Sequence, residues 1–246
     1  MPSIDSIIDR ELRRWEFERT RARHTPASRP PTAACGELIT VSRQHGSAGS
    51  AIAERLAQRL HYTLLHRDVI DRMCESTDAR RRLLAALDEH TRSQLSIWVD
   101  SMLAGRYVDE ADYLSALMRV IFSISELGGV VVVGRGANFI VGPQRGFHVR
   151  VVAPRPARLR TLMERDGITP NEAVRALVEQ DRERARFVRN MFGRSIEDPL
   201  AYDVVVNSDG APAEEISEWL AHAAQAKIER SRLASGTPAR MAAATG

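Results

Sequence analysis

Residues 38–60 read LITVSRQHGSAGSAIAERLAQRL, and this stretch decides the fold class. Leu38 to Ser42 is a short apolar, β-prone run, His45 to Ser50 is a turn of glycine and small residues, and Ala51 to Leu60 spaces its apolar positions as a helix does. Strand, glycine turn, helix is the opening of a βαβ unit. Glycines allow backbone N–H groups to converge on an anion, and the N-terminus of the next helix adds partial positive charge there. The same spacing also suits a tight turn that uses glycine for steric reasons alone. A Walker loop reads G-x-x-x-x-G-K-[ST]. With Ser50 in the hydroxyl position, Gly49 stands where the lysine belongs and Arg43 where the first glycine belongs.

Further strands are expected at Tyr62–Leu65, Val130–Val133, Phe147–Val152 and Asp203–Asn207. The run of valines at 130–133 is β-branched throughout, which suits a central parallel strand covered on both faces. Helices are expected over Ala79–Leu103, Glu110–Leu127, Pro156–Arg165, Thr169–Asn190 and Ala213–Arg230, with a further one after His66-Arg67-Asp68. Five strands separated by helices imply an open, mostly parallel α/β sheet that binds ligands at the carboxyl ends of its strands. Before this body, Ile4, Ile8, Leu12 and Trp15 form one helical stripe, and HTPASRPPTAA follows as a linker. The expected organisation is therefore an arm and linker over 1–35, a nucleotide-binding domain over 36–230 and a disordered tail over 231–246. The stripe is expected to dock on the body or on a second subunit, which is compatible with a homodimer.

Composition excludes other classes. The chain has 246 residues, with 43% hydrophobic and 27% charged, so neither a fibrous repeat nor wholesale disorder fits. No apolar stretch approaches a membrane span, and the charged N-terminus does not resemble a secretory signal. Two cysteines, Cys35 and Cys74, have no metal-type spacing, and the chain reads as cytoplasmic. Lys227 is the single lysine among 35 basic residues, so the positive charge is almost wholly guanidinium. Guanidinium binds phosphate bidentately, although coding composition also produces this bias. Nucleic-acid binding is not expected, because the charges alternate with acids and no aromatic platform accompanies them.

The run ITVSRQHGSAGSAIAERLAQRL resembles the opening of the cytidylate kinase-like family, whose loop S-R-x-x-G-S-G-G also lacks the lysine; Ala48 replaces one glycine here. VVVGRGANFIV, FHVRVVAPRPARLR, DRERARFVRNMFG and DPLAYDVVVNSD resemble, in order, that family's third strand, fourth strand with its helix, lid and last strand. The resemblance covers about residues 37–222. It implies a P-loop NTPase-type three-layer α/β/α fold with a five-stranded sheet, a helical monophosphate-binding insert and an Arg-rich lid. It also implies transfer of a phosphoryl group from ATP, with Mg²⁺, to CMP, dCMP or a related nucleoside monophosphate.

The resemblance assigns roles residue by residue. Gly46, Ser47, Ala48, Gly49 and Ser50 hold ATP phosphates, with the Ser50 hydroxyl near Mg²⁺. Arg135, with Asn138, meets the monophosphate, although a surface arginine on a loop is the plain alternative. Arg67 meets phosphate and Asp68 accepts from sugar or base, with a helix cap as the alternative for Asp68. Asp181 and Arg184 match the end of the lid motif R-D-x-x-D-x-x-R, where Leu177 occupies the first arginine's place. Arg182, Arg186 and Arg189 share the other helical face, and a solvated, salt-bridged helix is the alternative there. Arg43 is expected to replace the missing lysine, with Arg43, Arg135 and Arg184 serving the reaction. No acidic residue follows VVVGRGA as a second magnesium anchor. A catalytically weak nucleotide-binding sensor or scaffold of the same fold is the alternative function.

Overall fold

The computed structural model describes residues 4–23, 37–103 and 108–234. The expected linker and residues 235–246 of the expected tail, with Cys35, lie outside the described residues. The strands are β1 (Leu38–Arg43), β2 (Thr63–Leu65), β3 (Val130–Val133), β4 (Phe147–Val152) and β5 (Val204–Asn207). They form one sheet in the order β2-β3-β1-β4-β5, and every pairing is parallel. The α/β fold class expected from the sequence is therefore observed.

Strand alternation divides the core. Ile39, Val41, Val131, Val133, Val149 and Val151 pack on one face against α2 (Gly49–Leu60) and α10 (Ala213–Ala234). Leu38, Leu65, Val130 and Val132 face the other way, onto α3 (Arg67–Glu75), α4 (Thr77–Ala86), α5 (Glu89–Leu103) and α6 (Val108–Leu127). Adjacent β residues point to opposite faces, so an all-valine strand serves both layers at once. A third, small cluster of Leu162, Ala173 and Leu177 joins α8 (Arg155–Asp166) to α9 (Pro170–Phe192) beyond β4. Leu177 is thus a packing residue in the first half of α9.

The first helix, α1 (Ile4–Arg23), lies on α3 and α4. Its stripe buries Ile8, Leu12 and Trp15, while Ile4 remains exposed. Arg14 Nη1 donates to Thr63 Oγ1 at 2.9 Å, and Trp15 Nε1 donates to the Gly128 carbonyl at 3.4 Å. Arg82 on α4 donates to Glu16 Oε1 at 2.8 Å and to Asp9 Oδ1 at 3.1 Å.

Three sequence expectations are corrected. The single helix expected over Ala79–Leu103 is two helices, α4 and α5, with Leu87 extended between them. Ser76 accepts from the Ala79 N–H and Asp88 Oδ1 from the Thr91 N–H, so each helix has its own capping acceptor at the start. Ala137–Val141 forms an additional short helix, α7, that the turn reading did not provide for. Finally, α10 continues past Arg230 to Ala234, into the expected tail.

Candidate active site

The β1 turn and the β3 turn meet at the carboxyl edge of the sheet. Gly46 has φ +77°, and a Cβ there would lie 2.6 Å from the Arg158 carbonyl oxygen, so only glycine fits. Ala48 also has positive φ, at 54°, immediately before α2 begins at Gly49. The loop is anchored rather than free. Gln44 N–H donates to the Val151 carbonyl at 3.0 Å, its side-chain oxygen accepts from Ala153 N–H, and Ser47 Oγ donates to the Gln44 carbonyl at 2.8 Å.

Arg43 leaves β1 between two glycines. A Cβ on Gly49 would stand 2.5 Å from Arg43 Cβ, and one on Gly134 would stand 2.8 Å from Arg43 Nη1. A side chain at position 49 and the present path of Arg43 therefore exclude each other. The Arg43 Nε is buried without a hydrogen-bond partner. Burial, followed by the neighbouring guanidinium groups of Arg184, Arg67 and Arg150, pulls the Arg43 pKa down to about 10. It stays protonated at neutral pH, as a half-buried cation among cations.

Of those neighbours Arg67 pairs with Glu183, whereas Arg184 and Arg150 hydrogen-bond to neutral acceptors. Arg184 Nη1 donates to the Arg43 carbonyl at 3.0 Å and Arg150 Nη1 to Ser42 Oγ at 2.8 Å, and burial lowers the pKa of both. Arg43, Arg67, Arg135, Asn138 and Arg184 line one cleft, together with Phe139 and Phe187. Glu183 lines it too and pairs with Arg67, and Asp71 holds Arg135, so Arg43 and Arg184 are the cleft guanidinium groups without an ion pair among the described residues, a charge excess that suits a polyanion.

The β3 turn carries Arg135 at φ +53° between two positive-φ glycines. Its Nε donates to Asp71 Oδ1 at 2.6 Å and its Nη2 to Asp71 Oδ2. The Tyr113 hydroxyl also donates to Asp71 Oδ1, at 3.0 Å. A second cavity lies behind this pair, lined by Asp71, Cys74, Arg80, Tyr113, Arg119 and Arg135 among others.

Other expected residues are placed as follows. Asn138 is buried and donates to the Ala201 carbonyl at 3.2 Å. Arg67 pairs with Glu183 on α9 at 3.2 Å. Asp68 has a side chain 76% exposed and lines neither cavity, and His66, not Asp68, is the cap residue of α3. Asp181 does not point at the cleft's free volume. Its Oδ1 accepts from His45 N–H at 2.7 Å and its Oδ2 from Arg158, tying α9 to the loop. Burial, chiefly, lowers the His45 pKa, so the ring beside this tie is neutral at pH 7. Arg182, Arg186 and Arg189 are solvent-exposed and line neither cavity. Ser50, the second residue of α2, adjoins the loop.

Sequence reasoning missed Asp71, Tyr113 and Phe187. Arg135 lies over the Phe187 ring at 5.0 Å from its centroid and over Tyr113 at 5.8 Å. The only local signal was Phe187 lying on the same helix as Arg184; Asp71 and Tyr113 sit on ordinary-looking helices.

The sequence profile of the cytidylate kinase-like family matches residues 38–210. A cytidylate kinase of Pyrococcus horikoshii is 23% identical over 171 residues, covering 70% of this chain and 79% of that protein. A cytidylate kinase of Thermoplasma volcanium is 31% identical over 110 residues, covering 44% of this chain and 57% of that protein. The match thus spans little more than half of the second relative. Among solved structures, a shikimate kinase from Acinetobacter baumannii in complex with shikimate is 12% identical, with a TM-score of 0.43, covering 78% of this chain and 95% of that one. No helix among the described residues is long and apolar enough to cross a membrane.

Proposed function

The chain belongs to the cytidylate kinase-like family, and on that premise we propose that it moves the γ-phosphoryl group of ATP to CMP, dCMP or a related nucleoside monophosphate. One observation carries the reading beyond family membership. Arg43 Cβ fills the space that a side chain at position 49 would need, and the charged head of Arg43 lines the phosphate cleft without an acidic partner. Arg43 supplies from the end of β1 the cation that a Walker lysine supplies from position 49.

In this reading the Gly46–Ser50 loop and the N-terminus of α2 receive the ATP phosphates. The acceptor sits in the cavity lined by Asp71, Tyr113 and Arg135, with its phosphate at Arg135. That phosphate is largely dianionic near neutral pH, because its second pKa is about 6. An oxygen of the acceptor phosphate bonds to the γ-phosphorus as the bond to the β–γ bridging oxygen breaks, and the bridging oxygen leaves with ADP. No general base is required. The protein aligns the two phosphates, excludes water and spreads the developing charge over Arg43, Arg135 and Arg184. Of the loop residues, the Ser50 hydroxyl suits Mg²⁺, an ion that takes one or two protein ligands and completes its shell with phosphate oxygens and water. Mg²⁺ there would neutralise charge between the phosphates.

The test is a panel of nucleoside monophosphates incubated with ATP and Mg²⁺, followed for diphosphate formation, with Arg135→Ala beside the wild type. The expected outcome is turnover on a pyrimidine monophosphate, and for Arg135→Ala weaker acceptor binding with ATP binding nearly intact. Equal loss of both ligands would overturn the division of the site. The absence of a lysine from the loop keeps a second reading in play, a nucleotide sensor of the same fold, for which binding without turnover is the signature.

A further inference from the structure

Arg135 is restrained on three sides by residues that no motif identifies. Asp71 takes the Nε–Nη2 edge with two hydrogen bonds, and the rings of Phe187 and Tyr113 lie against the guanidinium. Burial is the largest single influence and works against the charge on Arg135, but the Asp71 hydrogen bonding and the electrostatic pull of Tyr113, Asp71 and Cys74 together outweigh it, and its pKa is raised. Burial pushes the Cys74 thiol up to about 12 and raises the Tyr113 phenol as well, so both are neutral at working pH. Arg67 Nε lies 3.9 Å from Asp71 but spends its Nη1 on Glu183. Among the described residues, Nη1 of Arg135 is the one nitrogen of the fork without a partner, and Arg135 lines both the phosphate cleft and the second cavity.

We propose that Asp71 is a positioning residue for the acceptor phosphate: it holds the side edge of Arg135 so that the Nη1 end meets the incoming monoester. The inference rests on the acceptor-site reading above. A guanidinium has more than one edge that can hold an anion in a fork. With one edge occupied by Asp71 and the aromatic rings at its sides, the remaining end is preorganised, and binding does not have to freeze a long flexible side chain. Tyr113 acts one step further out, through its hydroxyl on Asp71 Oδ1. The opposite arrangement, in which Asp71 merely occupies the phosphate's seat until displaced, makes the opposite prediction.

The test combines a ligand-free readout with binding. In ¹⁵N-edited spectra the Arg135 Hε signal, assigned by its loss in Arg135→Lys, is expected to be slowly exchanging in the wild type and lost or broadened in Asp71→Asn. Calorimetry with CMP is expected to give roughly tenfold weaker binding for Asp71→Asn. ATP binding should be unchanged, no further loss should follow in an Arg135→Ala background, and Tyr113→Phe should show a smaller effect of the same sign. A persistent Arg135 signal in Asp71→Asn, equal or tighter CMP binding, or losses that add to those of Arg135→Ala would each overturn the proposal. A wild-type protein that binds no monophosphate at all overturns the acceptor reading and this proposal with it. Binding that ignores Asp71 overturns this proposal alone.

Discussion

Arg43 illustrates how a single residue can be costly to the fold and, in the proposed function, needed by the site. Arg43 is half-buried, its Nε is buried and unpartnered, and Arg184, Arg67 and Arg150 repel it. Replacing it with methionine keeps the stem and removes the charge, so Arg43→Met is expected to raise stability by about 1–2 kcal/mol. Thermal denaturation checks this, and pyrophosphate, which should stabilise the wild type by mass action, should cease to stabilise the variant. The glycine at 49 offers a sharper test. Gly49→Lys alone would drive a Cβ to 2.5 Å from Arg43 Cβ, whereas Arg43→Gly with Gly49→Lys removes that clash, leaves a tight 3.2 Å approach to Val151 Cβ and restores a lysine to the loop. Arg43→Gly alone should lose about 100- to 1,000-fold in rate, the scale of one preorganised charge donor. The double variant should recover part of that loss, and recovery is read from phosphoryl-transfer rates. The sequence showed that the lysine was missing and that Arg43 was the candidate replacement. It did not show that the two side chains contend for one space, because that contact joins a strand end to a helix start across a turn.

At the scale of elements, the strand–turn–helix pattern was legible because short continuous apolar β-prone runs and glycine punctuation are local signals. The Asp71–Arg135 pair was not, since it spans 64 residues and joins α3 to the β3 turn, with nothing in VIDRMCE to mark Asp71. The arm helix α1 was legible as an amphipathic stripe, but its seat was not. It braces α3 and α4, which together with α6 wall the second cavity. Trp15→Ala is expected to cost about 3–5 kcal/mol, the usual range for truncating a buried aromatic. It should also raise the acceptor KM more than that for ATP, as steady-state kinetics with each substrate varied would reveal. β4 carries a pH-sensitive element. His148 is buried, its Nε2 lies 2.9 Å from the Gly142 carbonyl and its Nδ1 2.8 Å from Thr40 Oγ1. A neutral ring that donates from Nε2 and accepts from Thr40 at Nδ1 satisfies both contacts. Burial lowers its pKa, against the opposing pull of Asp203 and with the help of Lys227. The folded state therefore resists protonation that the unfolded chain accepts near pH 6.5. The stabilising contribution is complete above that pH and declines as pH falls below it, by at most about 1.4 kcal/mol per unit. Urea midpoints between pH 7.5 and 5.5 should fall less steeply in His148→Gln than in the wild type.

Across the whole molecule, α9 straps the carboxyl edge of the sheet. Asp181 holds the loop at His45, Arg184 holds the Arg43 carbonyl, Glu183 reaches Arg67 on α3, and Phe187 covers Arg135. Phe192 stacks on Phe139 at 5.7 Å and fills the space beside Gly136. The helix expected to serve as an Arg-rich lid is α9, and its inward face is built of Asp181, Arg184, Phe187 and Val188. Arg182, Arg186 and Arg189 are turned to solvent. Charge counts alone could not choose between the two faces, because the choice depends on which residues meet the sheet edge. The central claim is that this edge transfers phosphate between nucleotides through Arg43. ³¹P NMR of the protein with ATP, Mg²⁺ and CMP tests it most directly. The account predicts ADP and CDP appearing together, and a rate about 100- to 1,000-fold lower in Arg43→Ala. Intact ATP beside unchanged CMP, dCMP and UMP, or a rate indifferent to Arg43, would contradict it.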